Sequence, residues 1–100
     1  MAMNWSVEGK TADVIRQSID AALNQMGIPS FAQVGWEKDE LCVRIDKAGK
    51  SEFRMRLKTD GSKIKIEETK RDISFMHKPF VGKVESFVEQ VMNTVGAKKA

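Results

Sequence analysis

The chain has one cysteine, Cys42, and one histidine, His77, which excludes an internal disulfide and a zinc cluster of the usual Cys/His kind. Its seven glycines stand singly, with neither GxGxxG nor GxxxxGK spacing, so no phosphate-cradling loop and no nucleotide hydrolysis is expected. No apolar run approaches the roughly eighteen residues that a spanning helix needs. No basic segment leads into an apolar one near the N-terminus, so the expectation is a cytoplasmic protein without a transmembrane segment. Tyrosine is absent and prolines number two, leaving little to interrupt regular structure.

What remains is a chain of 100 residues, 41% apolar and 31% charged. That composition buries too much for disorder and suits one hydrophobic core, so residues 1–100 are expected to form a single domain, with 1–2 and 97–100 frayed. The formal charge is +3, and without Lys98 and Lys99 it is 15 cations against 14 anions. Global charge therefore does not point to nucleic acid; only local segregation of cations could.

Met3, Trp5 and Val7 alternate with polar residues, the period of a half-buried strand. Thr11 then stands as an N-cap, with Asp13 in the first turn. Ala12, Ile15, Ile19, Ala22, Leu23 and Met26 recur at helical spacing until Gly27, beyond which Pro29 prevents resumption. Four stretches of alternation follow, with Ala32, Val34 and Trp36, then Leu41, Val43 and Ile45, then Phe53, Met55 and Leu57, then Ile64 and Ile66 on a common face. Lys78-Pro79 opens a closing helix whose stripe is Phe80, Val84, Phe87, Val88, Val91, Met92 and Val95, ended by Gly96. The order β-α-β-β-β-β-α predicts an α+β fold: an antiparallel sheet of about five strands with both helices on one face, similar to helix-grip or TATA-binding-protein-like folds.

Turns at Lys38-Asp39, around Ala48-Gly49-Lys50 and at Asp60-Gly61 imply a register. Its inner pairs are Trp36 with Leu41, Val34 with Val43, Ile45 with Phe53, Val43 with Met55, Leu57 with Ile64 and Met55 with Ile66. On the outer face the same register sets Arg44 against Arg54, Arg56 against Lys65 and Lys58 against Lys63. Like charges facing across strands are mildly destabilising, so Arg44, Arg54, Arg56, Lys58, Lys63 and Lys65 form a candidate anion site. Without an aromatic ring on that face, any nucleic-acid contact would be to the backbone, and nucleic acid is not the favoured partner.

Cys42 with His77 is the only thiol and imidazole pair, but the two fall on different elements, and a catalytic dyad is not expected. Cys42 reads as a small side chain beside Gly35, and His77 as a partly exposed residue at the start of the last helix. Carboxylates such as Glu67-Glu68 read as solvated surface. The aromatics read as core, with the alternative that a curved sheet leaves an apolar pocket lined by Trp36, Met55, Phe80 and Phe87, with Met26, Met76 and Met92 adapting to its shape.

The run Trp36-Glu-Lys-Asp-Glu-Leu41, the strand ending near Gly49, and His77-Lys-Pro-Phe-Val-Gly-Lys-Val-Glu85 before the closing helix resemble the polyhydroxyalkanoic acid system, or granule-region, family of small proteins. The resemblance implies a nonenzymatic, cytoplasmic bacterial protein linked to storage-polymer granules. Together these readings anticipate a noncatalytic binding module with no cofactor or metal, whose partner is a protein or an apolar ligand. The alternative is an anion or nucleic-acid-backbone binder. A homodimer through an exposed edge strand or surplus apolar helix surface is left open.

Overall fold

The computed structural model describes residues 3–99 and is α+β. Its elements run β1 (Asn4–Glu8), α1 (Ala12–Met26), β2 (Gln33–Glu37), β3 (Glu40–Asp46), β4 (Lys50–Asp60), β5 (Lys63–Asp72), a 3-10 helix (Phe75–Phe80), α2 (Val81–Val95) and β6 (Lys98–Lys99). The sheet is antiparallel in the order β2-β3-β4-β5-β1-β6. Six strands replace the five expected, because Lys98 and Lys99 pair with Ser6 and Trp5 instead of fraying. Gly96 turns back with φ 89°, and the N–H of the buried Ala97 donates to the Met92 carbonyl, which docks the tail. Residues 1, 2 and 100, expected to fray, lie outside the described residues.

Helix α1 forms where its caps place it. Thr11 Oγ1 accepts from Val14 N–H at 3.3 Å, and the Gly27 N–H donates to the Leu23 carbonyl. Ile15, Ile19, Ala22 and Leu23 face inward from α1, as do Val84, Phe87, Val88, Val91, Met92 and Val95 from α2. They meet Trp5, Val43, Phe53, Met55 and Ile66 of the sheet in one cluster, each fully buried side chain contributing roughly 1.5–3 kcal/mol. Arg56 and Lys65 stay half exposed on the reverse side, so the assignment of faces holds.

The register differs in a specific way. Trp36 pairs with Leu41 and Val34 with Val43 as expected, but Ile45 meets Ser51 and Val43 meets Phe53, while Leu41 takes Met55 and Leu57 takes Ile66. Both later hairpins are displaced by two residues, since the chain turns at residues 47–49, with Ala48 at φ 59°, and at Gly61-Ser62. A displacement of two keeps every side chain on its face, which is why the hydrophobic pattern alone could not detect it. Met55 faces Glu68 and Arg54 faces Lys70, so Thr69 is an extra residue on β5, a β-bulge. Past it the parity reverses and Arg71 turns inward, 5.1 Å above the Phe53 ring, bonded to Glu68 Oε1 at 2.7 Å and to Glu85 of α2 at 3.2 Å.

Pro79 lies inside the 3-10 helix, and α2 begins at Val81. The prediction that Lys78-Pro79 opens the last helix is corrected accordingly. No helix among the described residues is long and apolar enough to cross a membrane.

Candidate functional site

The outer face carries a network of ion pairs. Arg54 sits at its centre, with its Nη2 2.9 Å from Glu37, its Nη1 3.2 Å from Glu40 and its Nε 3.1 Å from Glu52. The Nε–H is not aimed at Glu52 and finds no hydrogen bond among the described residues, whereas Nη2 reaches Glu52 at 3.3 Å. Arg44 bonds Glu52 at 2.7 Å and Glu37 at 2.9 Å, Lys70 reaches Glu52 at 3.0 Å, and Arg56 lies 3.8 Å from both Asp39 and Glu40. Hydrogen bonds from Arg54, Arg44 and Lys70 hold the Glu52 carboxyl down to about 2. Glu40 is also lowered, chiefly by the Thr69 hydroxyl that donates to it at 2.6 Å.

These distances correct the premise of the anion site. The two-residue displacement sets Arg44 opposite Glu52 and Arg56 opposite Glu40 and Glu67, so these two cations, predicted to face cations, face carboxylates, while Arg54 faces Lys70 but is ion-paired with Glu37, Glu40 and Glu52. Lys58 faces Lys65 in place of Lys63, and Lys65 bonds Asp60 at 3.1 Å; Lys63 stands between Glu8 and Asp60. The groove of about 300 Å³ at the end of this face sets Arg44, Lys50 and Lys70 against Asp46, Glu52 and Asp72, with no surplus of positive charge. A surface already neutralised by its own carboxylates offers a phosphate little that water does not.

The apolar pocket is corrected as well. Met55 and Phe87 are core, whereas Trp36 and Phe80 are half-buried at separate places. Trp36 lies under the Arg16 guanidinium and donates from Nε1 to Asp20 at 2.7 Å; Phe80 stacks on Phe31 with centroids 5.1 Å apart. The gap among Leu23, Val43, Phe87 and Met92 has a volume of about 0 Å³ for an occupant the size of water. Of the methionines expected to line it, Met55 and Met92 are fully buried, but Met26 and Met76 reach the surface.

Cys42 and His77 are not brought together. Cys42 lies on the outer face between Gly35 and Arg54, where burial pushes its thiol up, away from the nucleophilic thiolate. His77 is 2% exposed, contrary to the partly exposed position expected. Its Nε2 is 2.6 Å from the Lys47 carbonyl and its Nδ1 is 2.6 Å from Ser51 Oγ. A carbonyl can only accept, so Nε2 carries the proton and Nδ1 accepts from the Ser51 hydroxyl. Ser51 Oγ in turn accepts from Ser74 N–H at 2.8 Å. Ser51 is 3% exposed, so the pair is a clamp closed to any substrate. It ties the turn 47–49 to the start of the 3-10 helix, and Gly49 fits there because a Cβ would stand 2.7 Å from Ser74 Oγ.

What the clamp presents is the feature the strand and helix patterns missed. Phe75 and Met76 are 76% and 61% exposed, the most exposed large apolar residues described, with the Lys78 ammonium 5.0 Å over the Phe75 ring. They fall between two periodic segments, so no parity assigned them a side; the only signal was an apolar pair without a periodic neighbour. Phe75 and Met76 point into water from a short helix whose next residue is locked into the protein. No protein-family model matches this chain, and no curated protein matches it.

Proposed function

We propose that the protein is a noncatalytic interaction module that docks on an apolar surface through Phe75 and Met76, and that this surface is the storage polymer that its granule-family resemblance implies in a bacterial cytoplasm. The observation that carries the reading is the exposure of two large apolar side chains on a clamped helix. Scattered apolar residues on a surface need no explanation, but an adjacent Phe and Met held out by a buried hydrogen-bonded anchor are prepaid in conformational entropy. Lys78 and Lys83, each over a phenylalanine ring of the same helix, suit the polar margin of such a contact. With the gap between helices and sheet at Leu23, Val43, Phe87 and Met92 too small for even a water, the apolar partner is met at the surface.

Burying one Phe and one Met gains roughly 3–6 kcal/mol before the cost of association. Cosedimentation with poly(3-hydroxybutyrate) particles tests the reading. The wild-type chain is expected in the pellet, and the Phe75→Ser, Met76→Ser double variant at least tenfold less so. A wild-type chain left in the supernatant, or a variant that pellets equally, overturns it.

A further inference from the structure

We infer that β2 is a self-association edge, at which a second copy of this chain adds its own β2 antiparallel about a two-fold axis through Gly35. The inference is independent of the apolar-surface reading and rests on β2 instead of the 3-10 helix.

The two edges of the sheet are treated differently. At one, β6 is two residues long and both are lysines, a common way to block strand addition. At the other, β2 is Gln33-Val34-Gly35-Trp36-Glu37, with no proline or lysine, an uninterrupted register against β3 and, among the described residues, nothing paired to its free side. The direction of its free groups follows from the ladder. Leu57 N–H donates to the Asp39 carbonyl, so the odd residues of β3 turn their backbone to β4 and the even ones to β2. Glu40, Cys42 and Arg44 therefore bond Glu37, Gly35 and Gln33, which leaves the N–H and C=O of Val34 and Trp36 pointing away from the sheet. None of the side-chain hydrogen bonds among the described residues ends on those four groups.

A second β2 satisfies all of them in one register. With Gly35 facing its own copy, Val34 lies opposite Trp36 on both sides of the axis, and each pair exchanges two hydrogen bonds. The same register sets apolar Val34 and Trp36, both half-buried in the single chain, against each other on the helix side, and Gln33 against Glu37 on the outer side. Gly35 occupies the non-hydrogen-bonded position, where strands approach to a Cα separation of about 4.5 Å and a residue with no side chain is the easiest to seat against itself. A strand whose polar-apolar pattern and free hydrogen bonds are both symmetric about one glycine fits a copy of itself better than an arbitrary strand.

Sedimentation velocity across a concentration series supplies the test. Wild-type protein is expected to rise toward twice its 11.3 kDa. Val34→Pro removes an outward donor, leaves the ladder to β3 intact, and is expected to weaken association at least tenfold, with folding verified by thermal unfolding at low concentration. Gly35→Cys, in a Cys42→Ser background, is expected to oxidise readily to a covalent dimer, because the non-hydrogen-bonded spacing suits a disulfide. A Cβ at Gly35 meets nothing within 4 Å, so the single chain accepts it. Gln33→Cys in the same background faces Glu37 of the other copy and is expected to stay uncrosslinked. A monomer at every concentration overturns the inference. So does a dimer that Val34→Pro leaves unchanged, or one in which Gln33→Cys crosslinks as well as Gly35→Cys.

Discussion

Replacing Ser51 by alanine removes one oxygen and unmakes a buried network. In the wild-type chain this hydroxyl donates to His77 Nδ1 at 2.6 Å and accepts from Ser74 N–H at 2.8 Å. Without it, the imidazole acceptor is orphaned in a site 2% exposed, and the Ser74 amide loses its partner. An unsatisfied buried group costs roughly 1–3 kcal/mol, and Ser74 lies nearer the surface than His77, so the total is about 2–4 kcal/mol. For a domain of this size that is roughly a 10–25 °C fall in Tm. Thermal unfolding followed by circular dichroism measures it directly. A double-mutant cycle with His77→Phe then isolates the pair, with a coupling of about 1 kcal/mol or more. The variant is also expected to bind polymer particles more weakly although Phe75 and Met76 are intact, because their helix has lost its anchor. A Tm within about 3 °C of wild type, with undiminished polymer binding, would refute the claim that this cluster is a desolvated clamp.

Two further predictions come from the same surfaces. The Glu52 carboxyl is held at about 2 against an ordinary 4.5, so its contribution is present above pH 4.5 and is lost as the pH falls toward 2. Urea unfolding across that range should show stability declining with acid, and Glu52→Gln should flatten the slope; an unchanged slope would mean that other groups carry it. Gly49→Ala should destabilise by at least about 1–2 kcal/mol, since φ 138° disfavours an L side chain and Ser74 Oγ stands in the way, whereas Gly35→Ala, with open space, should stay within about 1 kcal/mol. Equal Tm values for the two variants would contradict the packing described for the turn at residues 47–49.

How far the chain could be read without its fold is clearest at particular residues. Thr11, Gly27 and Gly96 announce helix ends because caps satisfy local hydrogen bonds, and the alternation around Val43, Met55 and Ile66 assigns the faces because one side of a sheet must be dry. Both were legible. The β2–β3 register was legible too, but that of the two later hairpins was not, because hydrophobic parity penalises a slip of one residue and is blind to a slip of two; only the turns at residues 47–49 and Gly61-Ser62 resolve it. That difference turns Arg44 from a neighbour of Arg54 alone into a partner of Glu52, and a supposed cation field into a neutral network. His77 could not be placed either, since its partners Ser51 and Lys47 lie 26 and 30 residues away.

Local periodicity and capping thus determined the elements, their order and the side each one buries, since these depend on contacts a few residues apart. Tertiary structure alone decided the strand offsets, the bulge at Thr69 and the docking of the Lys98-Lys99 strand. It also decided the burial of His77 and the exposure of Phe75 and Met76, because each is settled by which distant backbone or side-chain group satisfies a hydrogen bond or displaces water.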